Sequence, residues 1–214
     1  MELQRNNITF GATTLYPIRI KKVIKGGYRN VKAYFEELST QSKIDKKCVQ
    51  EIQFAWRLAK SKHNYISDIA SIFKNDCNLY NIPEYKYFIT RLASQNGKIS
   101  KKIASIIAVK FDNKKRKVIL EYIQSASQVK KKTEVPHVKG AGELAILGLI
   151  KYAKEHGFKK IVLSSTNDSF YDKLGFKKIP KRISKYATDD SDYTLTFSKF
   201  ESFIRKISEK YGIK

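Results

Sequence analysis

The chain has 214 residues, 42% of them hydrophobic, which is enough to bury a sizeable core, and 43 Lys and Arg against 20 Asp and Glu give a formal net charge of +23. No apolar run approaches the roughly 20 residues of a membrane span, and the start, "MELQRNNITFGATT", lacks the basic-then-apolar layout of a secretory signal. A soluble, cytoplasmic protein is therefore expected, with signal-independent export left open. The charge fits a polyanionic partner such as RNA, but only 8 of the basic residues are Arg and Ile, Asn and Tyr are abundant, a bias that an AT-rich genome writes onto any surface. Both explanations stand at this level.

In chain order, "TTLYPIRIKKVI" (Thr13 to Ile24) alternates as a strand and "KGGY" turns it; "VKAYFEEL" fits either a second strand or a helix start. A helix follows, with Ile44, Cys48, Ile52, Trp56 and Ala59 at helical spacing and Ser42 or Asp45 near its cap. The next helix, "NYISDIASIFKN", puts Ile66, Ile69, Ile72 and Phe73 on one face. Three strands then read as an antiparallel meander, Tyr85 to Ser94, Lys101 to Asp112 and Lys117 to Ala126, joined by "QNGK" and "DNKKRK". A lysine-rich connector leads into a helix from Gly142 to about His156, closed by Gly157. "KKIVLSS" is a short buried strand, and "NDSFYDKL" is a short helix capped by Asn167 or Asp168 and stopped by Gly175. "FKKIPKRIS" and "DYTLTFSKF" read as two last strands around the acidic loop "ATDDSD", before an amphipathic helix carrying Phe200, Phe203, Ile204 and Ile207.

Cys48 and Cys77 stand in helical contexts without a CxxC, so two buried thiols are expected. The histidines, His63, His137 and His156, lack ligand spacing, and no metal site is expected.

The motif with most chemistry is "PHVKGAGELAILGLI" (Pro136 to Ile150), two glycines before an apolar helix. A helix N-terminus offers unpaired N–H groups and a favourable dipole to an anion. "GAGELA" matches GxGxxA, but a dinucleotide fold needs an apolar strand running into the first glycine and an acid on the next strand; here the lead-in is "KKTEVPHVK" and the next strand ends in Ser164 and Ser165. A phosphate-binding P-loop would need Lys-Ser/Thr after the glycines, which is absent.

"HVKGAG" and, downstream, Phe170-Tyr171-Asp172-Lys173-Leu174-Gly175-Phe176 together resemble the two ordered motifs of the GNAT family of N-acetyltransferases, Gln/Arg-x-x-Gly-x-Gly/Ala and Phe/Leu-Tyr-Glu-Lys-Leu-Gly-Phe. "LEYIQSAS" (Leu120 to Ser127) is similar to that family's fourth strand, so the resemblance covers about residues 85 to 197, and His137 departs from the usual Gln or Arg. The resemblance implies an α+β fold: a central mixed, mostly antiparallel sheet of about seven strands flanked by helices. It implies one domain over 1–214, with 1–84 on the acceptor side, 85–199 as the acetyl-CoA-binding core and 200–214 as a C-terminal helix.

The resemblance further implies that acetyl-CoA is the cosubstrate and that its pyrophosphate meets the N–H groups of Val138, Lys139, Gly140, Ala141 and Gly142, with a side-chain contact from His137 in question. A side chain at Gly140 or Gly142 would stand between backbone and phosphate. Fourth and fifth strands that splay apart would let pantetheine pair with the backbone from Ile123 to Ala126, Ser125 N–H polarising the thioester carbonyl, and Ser164 and Asn167 lie at the other wall. Tyr171 takes the general-acid position and Glu121 is a candidate base, directly or through water; the alternatives are a packed Tyr and a strand-face carboxylate paired with a lysine.

The resemblance implies an amine acceptor, on a protein lysine or N-terminus, a small polyamine or aminoglycoside, or an aminoacyl-tRNA, and Asp189, Asp190 and Asp192 read as an acidic turn that would attract a cationic one. The competing reading is a catalytically silent module that binds RNA or a protein through its basic surface. A monomer or homodimer is expected.

Overall fold

Alternating burial along residues 13–38 builds a long hairpin, β1 (Thr13–Ile24) and β2 (Gly27–Leu38), so "VKAYFEEL" is strand. The computed structural model describes residues 11–57, 65–78, 85–93, 100, 102–126, 138–180 and 191–213. Two helices follow, α1 (Lys43–Arg57) and α2 (Ile66–Asn78), then the meander β3 (Lys86–Leu92), β4 (Ile103–Asp112) and β5 (Lys117–Ser125). The second half comprises β6 (Val138–Lys139), α3 (Ala141–Glu155), β7 (Lys160–Ser165), α4 (Asp168–Leu174), β8 (Lys177–Lys178), β9 (Ser191–Thr196) and α5 (Phe200–Tyr211).

These strands form one nine-stranded sheet in the order β6-β1-β2-β3-β4-β5-β7-β9-β8, antiparallel throughout except for β5 beside β7. The expected count of about seven is exceeded by two short edge strands: β6 caps one edge, and at the other lies β8, Lys177–Lys178 within "FKKIPKRIS", whose residues 181–184 lie outside the described ones. Helices cover both faces. Strand alternation sends Tyr87 toward α2, where its ring meets Phe73 at 4.7 Å, and sends neighbouring Phe88 to the opposite face, where it meets Tyr152 of α3 at 5.0 Å. α3 is apolar nearly all round because it lies between the sheet and α5, and its buried residues include Leu144, Ile146, Leu147, Leu149 and Ile150. Close approach needs Gly148: a Cβ there would stand 2.4 Å from the ring of fully buried Phe35.

The buried face of α1 differs from expectation. Asp45, Val49, Ile52 and Trp56 point inward, while Ile44 is 48% exposed. Ser42 caps the helix by accepting the Asp45 N–H at 3.2 Å, and the Asp45 carboxylate turns in to accept the Ser39 N–H at 2.9 Å. That pair of bonds, with Trp56 seeking the core a few turns on, sets the rotation of the helix. Beneath it, Arg91 of β3 donates to Glu36 of β2 at 2.7 Å, to the Ser100 carbonyl at 3.0 Å and to Cys48 Sγ at 3.9 Å. Cys48 and Cys77 are free and only half-buried. Among the described residues, no helix is long and apolar enough to cross a membrane.

Candidate active site

The site begins where two strands part. β5 and β7 pair in parallel only from Lys117 opposite Lys160 to Leu120 opposite Leu163, yet β5 stays on β4 as far as Ser125 and β7 stays on β9 as far as Ser165. The separation starts at a bulge: Ala108 faces Tyr122 and Val109 faces Leu120, leaving Glu121 opposite no residue of β4. An extra residue bends and twists its strand locally, so Glu121 marks the hinge from which β5 leaves β7.

The opening is a cleft of about 450 Å³, within the usual range for small-molecule sites. It brings together Glu121, Ile123 and Ser125 of β5, Gly140, Ala141 and Gly142 at the start of α3, Ser164 at the end of β7, and Asn167 and Tyr171 of the turn and helix that follow. Val138 and Lys139 stand apart. They form β6, paired with Lys22 and Lys21 of β1, with Val138 buried and the Lys139 ammonium 5.1 Å from the Tyr28 ring centre. His137, the lysine run at 130–132, Asp189 and Asp190 lie outside the described residues, as does the side chain of Asp192.

Glycine is required in the loop for reasons internal to the protein. Gly140 has φ +85°, left-handed backbone that disfavours any side chain, and an added Cβ would stand 1.7 Å from the Tyr211 hydroxyl oxygen. At Gly142 a Cβ would come within 3.2 Å of Phe170 Cζ, so this glycine admits the Phe170 ring, itself part of the cleft lining. Beside the expected clearance for a ligand, the protein itself sets a demand at each position: Gly140 is required by the turn and by α5, and Gly142 by α4.

After Gly140, the N–H groups of Ala141, Gly142 and Glu143 have no acceptor within the helix, and the dipole of α3 adds partial positive charge at its start. Glu143 is drawn aside by α5: its carboxylate accepts from Lys210 Nζ at 2.7 and 2.8 Å and from the Tyr211 hydroxyl at 2.8 Å. Lys21 of β1 stands over the same Tyr211 ring at 5.5 Å. Burial first, and the bond to Glu143 second, push the Tyr211 phenol well above its ordinary range.

On the opposite wall, Tyr171 is buried, edge-on to Phe170 at 5.0 Å and to Phe176 at 5.6 Å. Burial, reinforced by Tyr65, lifts its pKa well above that of a free phenol, so it holds its proton through neutral and mildly alkaline pH. Asn167 is the residue before α4, but its side chain caps nothing there. Its N–H donates to Ser165 Oγ at 2.9 Å and its Oδ1 accepts from Ser169 Oγ at 3.3 Å.

Tyr65 was not legible as a site residue. It stands just before α2, is held by its N–H donating to Gln124 Oε1 of β5 at 3.1 Å, and reaches across to place its hydroxyl 2.9 Å from Thr166 Oγ1 beyond β7. The bond spans the two parted strands at the cleft. The available signal was Gln124, an amide amid an apolar strand, which needs a buried partner.

No protein-family model and no curated protein matches the sequence. Solved structures match the fold. FdhC, described as a nucleotide-linked sugar GNAT, superposes with a TM-score of 0.53 at 14% identity, over 92% of this chain and 97% of that one. GCN5 of Tetrahymena aligns with a TM-score of 0.50 at 10% identity, over 76% of this chain and 94% of that one. An acetyltransferase of the GNAT family from Desulfovibrio desulfuricans gives 0.50 at 12% identity, over 77% and 98%. With β5 and β7, alone among the described strand pairs, running parallel and parting beside the start of a glycine-led helix, this chain has the fold of the GNAT acyltransferases.

Proposed function

We propose that the protein is an N-acetyltransferase that moves the acetyl group of acetyl-CoA to a primary amine by direct attack. The observation that carries this reading is the cleft between β5 and β7, which joins the amide-rich start of α3 to a buried phenol on α4. The residues fit the cosubstrate. On this reading the amides of Ala141 and Gly142 would take the pyrophosphate, where an anion at a helix N-terminus gains about 0.3–1 kcal/mol at an exposed site and more when partly buried. Successive strand residues direct their N–H groups to alternate edges, so Ile123 and Ser125 share one edge, and this reading assigns that edge to pantetheine and the thioester carbonyl. Ser164 and Asn167 would contact pantetheine from the facing wall.

The chemistry then balances on two protein groups. The amine nitrogen forms a bond to the thioester carbon, Ser125 N–H steadies the oxyanion, and the C–S bond breaks. Tyr171 gives its proton to the leaving thiolate, while Glu121, through water, takes the proton that the attacking nitrogen sheds. A raised phenol pKa keeps Tyr171 loaded, and proximity on collapse of the intermediate compensates for its weak acidity. Acceptors consistent with this reading are a protein lysine or N-terminus, a polyamine or aminoglycoside, and aminoacyl-tRNA.

The test is acetyl-CoA turnover against a panel of these amine classes, with Tyr171→Phe beside the parent protein. Turnover on one class with kcat lower by about 10²–10⁴ in the variant supports the reading. CoA binding without turnover on any class overturns it, and an unchanged kcat removes Tyr171 from the mechanism.

A further inference from the structure

Glu143 is the third residue of α3 and lines the cleft, so its carboxylate stands at the helix end that the functional reading gives to a pyrophosphate. A side-chain carboxylate there is attracted to the same unpaired amides and the same dipole as the ligand, and it repels a ligand anion. In the structure it is turned to α5. Lys210 Nζ holds both of its oxygens and the Tyr211 hydroxyl holds one, at 2.7–2.8 Å. Tyr211 is 2% exposed, at the last turn of α5, with its hydroxyl against the open Cβ side of Gly140. One side chain of the C-terminal helix therefore braces both the turn that opens α3 and the acid nearest to it.

We propose that Tyr211 is a positioning residue for the cosubstrate: by holding Glu143 against α5 it keeps a competing carboxylate off the phosphate-binding amides, so the last turn of α5 sets the affinity for CoA. This inference rests on the proposed acetyl-CoA site. Tyr211→Phe is the cleanest probe because it removes one hydrogen bond, keeps the ring beside Gly140 and changes no charge at neutral pH; substitution of Lys210 would also remove a cation from the neighbourhood of the phosphates.

The experiment is calorimetric titration of coenzyme A into the full chain for the parent, Tyr211→Phe, Glu143→Gln and the double variant, with steady-state kinetics on any acceptor found. Tyr211→Phe is expected to weaken CoA binding about tenfold, the scale of one hydrogen bond to a charged group, raising KM for acetyl-CoA with kcat at saturation unchanged. In the Glu143→Gln background the same substitution should have no effect on CoA binding, because no carboxylate is left to restrain. A merely structural role for Tyr211 predicts equal weakening in both backgrounds, and that result overturns the inference while leaving the acetyl-CoA site standing. Unchanged affinity in Tyr211→Phe overturns it equally. Failure of the parent protein to bind CoA at all would overturn the functional reading and this inference together.

Discussion

Asp45 offers a quantitative check on the forces acting beneath α1. It lies in the first turn of the helix, where the dipole favours a carboxylate, and Oδ2 accepts the Ser39 N–H. Yet the residue is 0% exposed and Oδ1 has no hydrogen-bond partner. Burial outweighs the favourable groups and raises the carboxyl from 3.8 to about 6; the Ser39 bond and Arg91 pull it back down, and Glu36 pushes it up. The folded state thus holds a proton that the unfolded chain has released between about pH 4 and pH 6, so this group's contribution to stability is full below pH 4 and is lost as pH rises through about 6. At 1.36 kcal/mol per pH unit the shift corresponds to about 3 kcal/mol, and screening by water near the helix end leaves about 1–3 kcal/mol. Asp45→Asn cannot ionise. Urea unfolding of both proteins at half-unit steps from pH 4.5 to 7.5 should show the parent losing about 1–2 kcal/mol relative to the variant across that window, since part of the contribution is already lost at its acid end. A constant difference, or a parent that gains on the variant as pH rises, would refute the argument and mean that Arg91 dominates Asp45 electrostatically.

Two further outcomes follow from contacts already described. Glu36→Ala leaves the Arg91 guanidinium buried without its carboxylate and should cost about 3–5 kcal/mol by denaturant titration, whereas a Glu36→Leu/Arg91→Met pair should recover most of that loss. Gly140→Ala should cost about 1–2 kcal/mol for left-handed backbone plus about 1–3 kcal/mol for displacing Tyr211, and in a Tyr211→Ala background only the first part should remain.

Much of the fold was legible because it depends on local periodicity. The strands from Thr13 to Ile24 and from Lys117 onward, the apolar faces of α2 and α5, and the left-handed closures at Gly157 and Gly175 are all fixed by neighbours a few residues away. Where local signals tied, distant packing decided. Ile44 and Asp45 compete for the inward face of α1, and the Ser42 cap with the Ser39 bond gave it to Asp45. Val138 and Lys139 looked like loop until β1 offered them a partner strand.

The candidate site divides along the same line. At the level of sequence, the resemblance of "HVKGAG" and of Phe170 to Phe176 to two ordered family motifs is what joined an amide-rich helix start and a tyrosine on a short helix in one expected constellation. Only the tertiary structure decided that Glu121 is a bulge from which β5 parts from β7, that Tyr65 spans the opening, and that α5 supplies Lys210 and Tyr211 to restrain Glu143. The physical reason is separation. Each of these contacts joins residues brought together by sheet register and helix packing, and no short-range pattern encodes which distant partner will satisfy a buried hydroxyl or carboxylate.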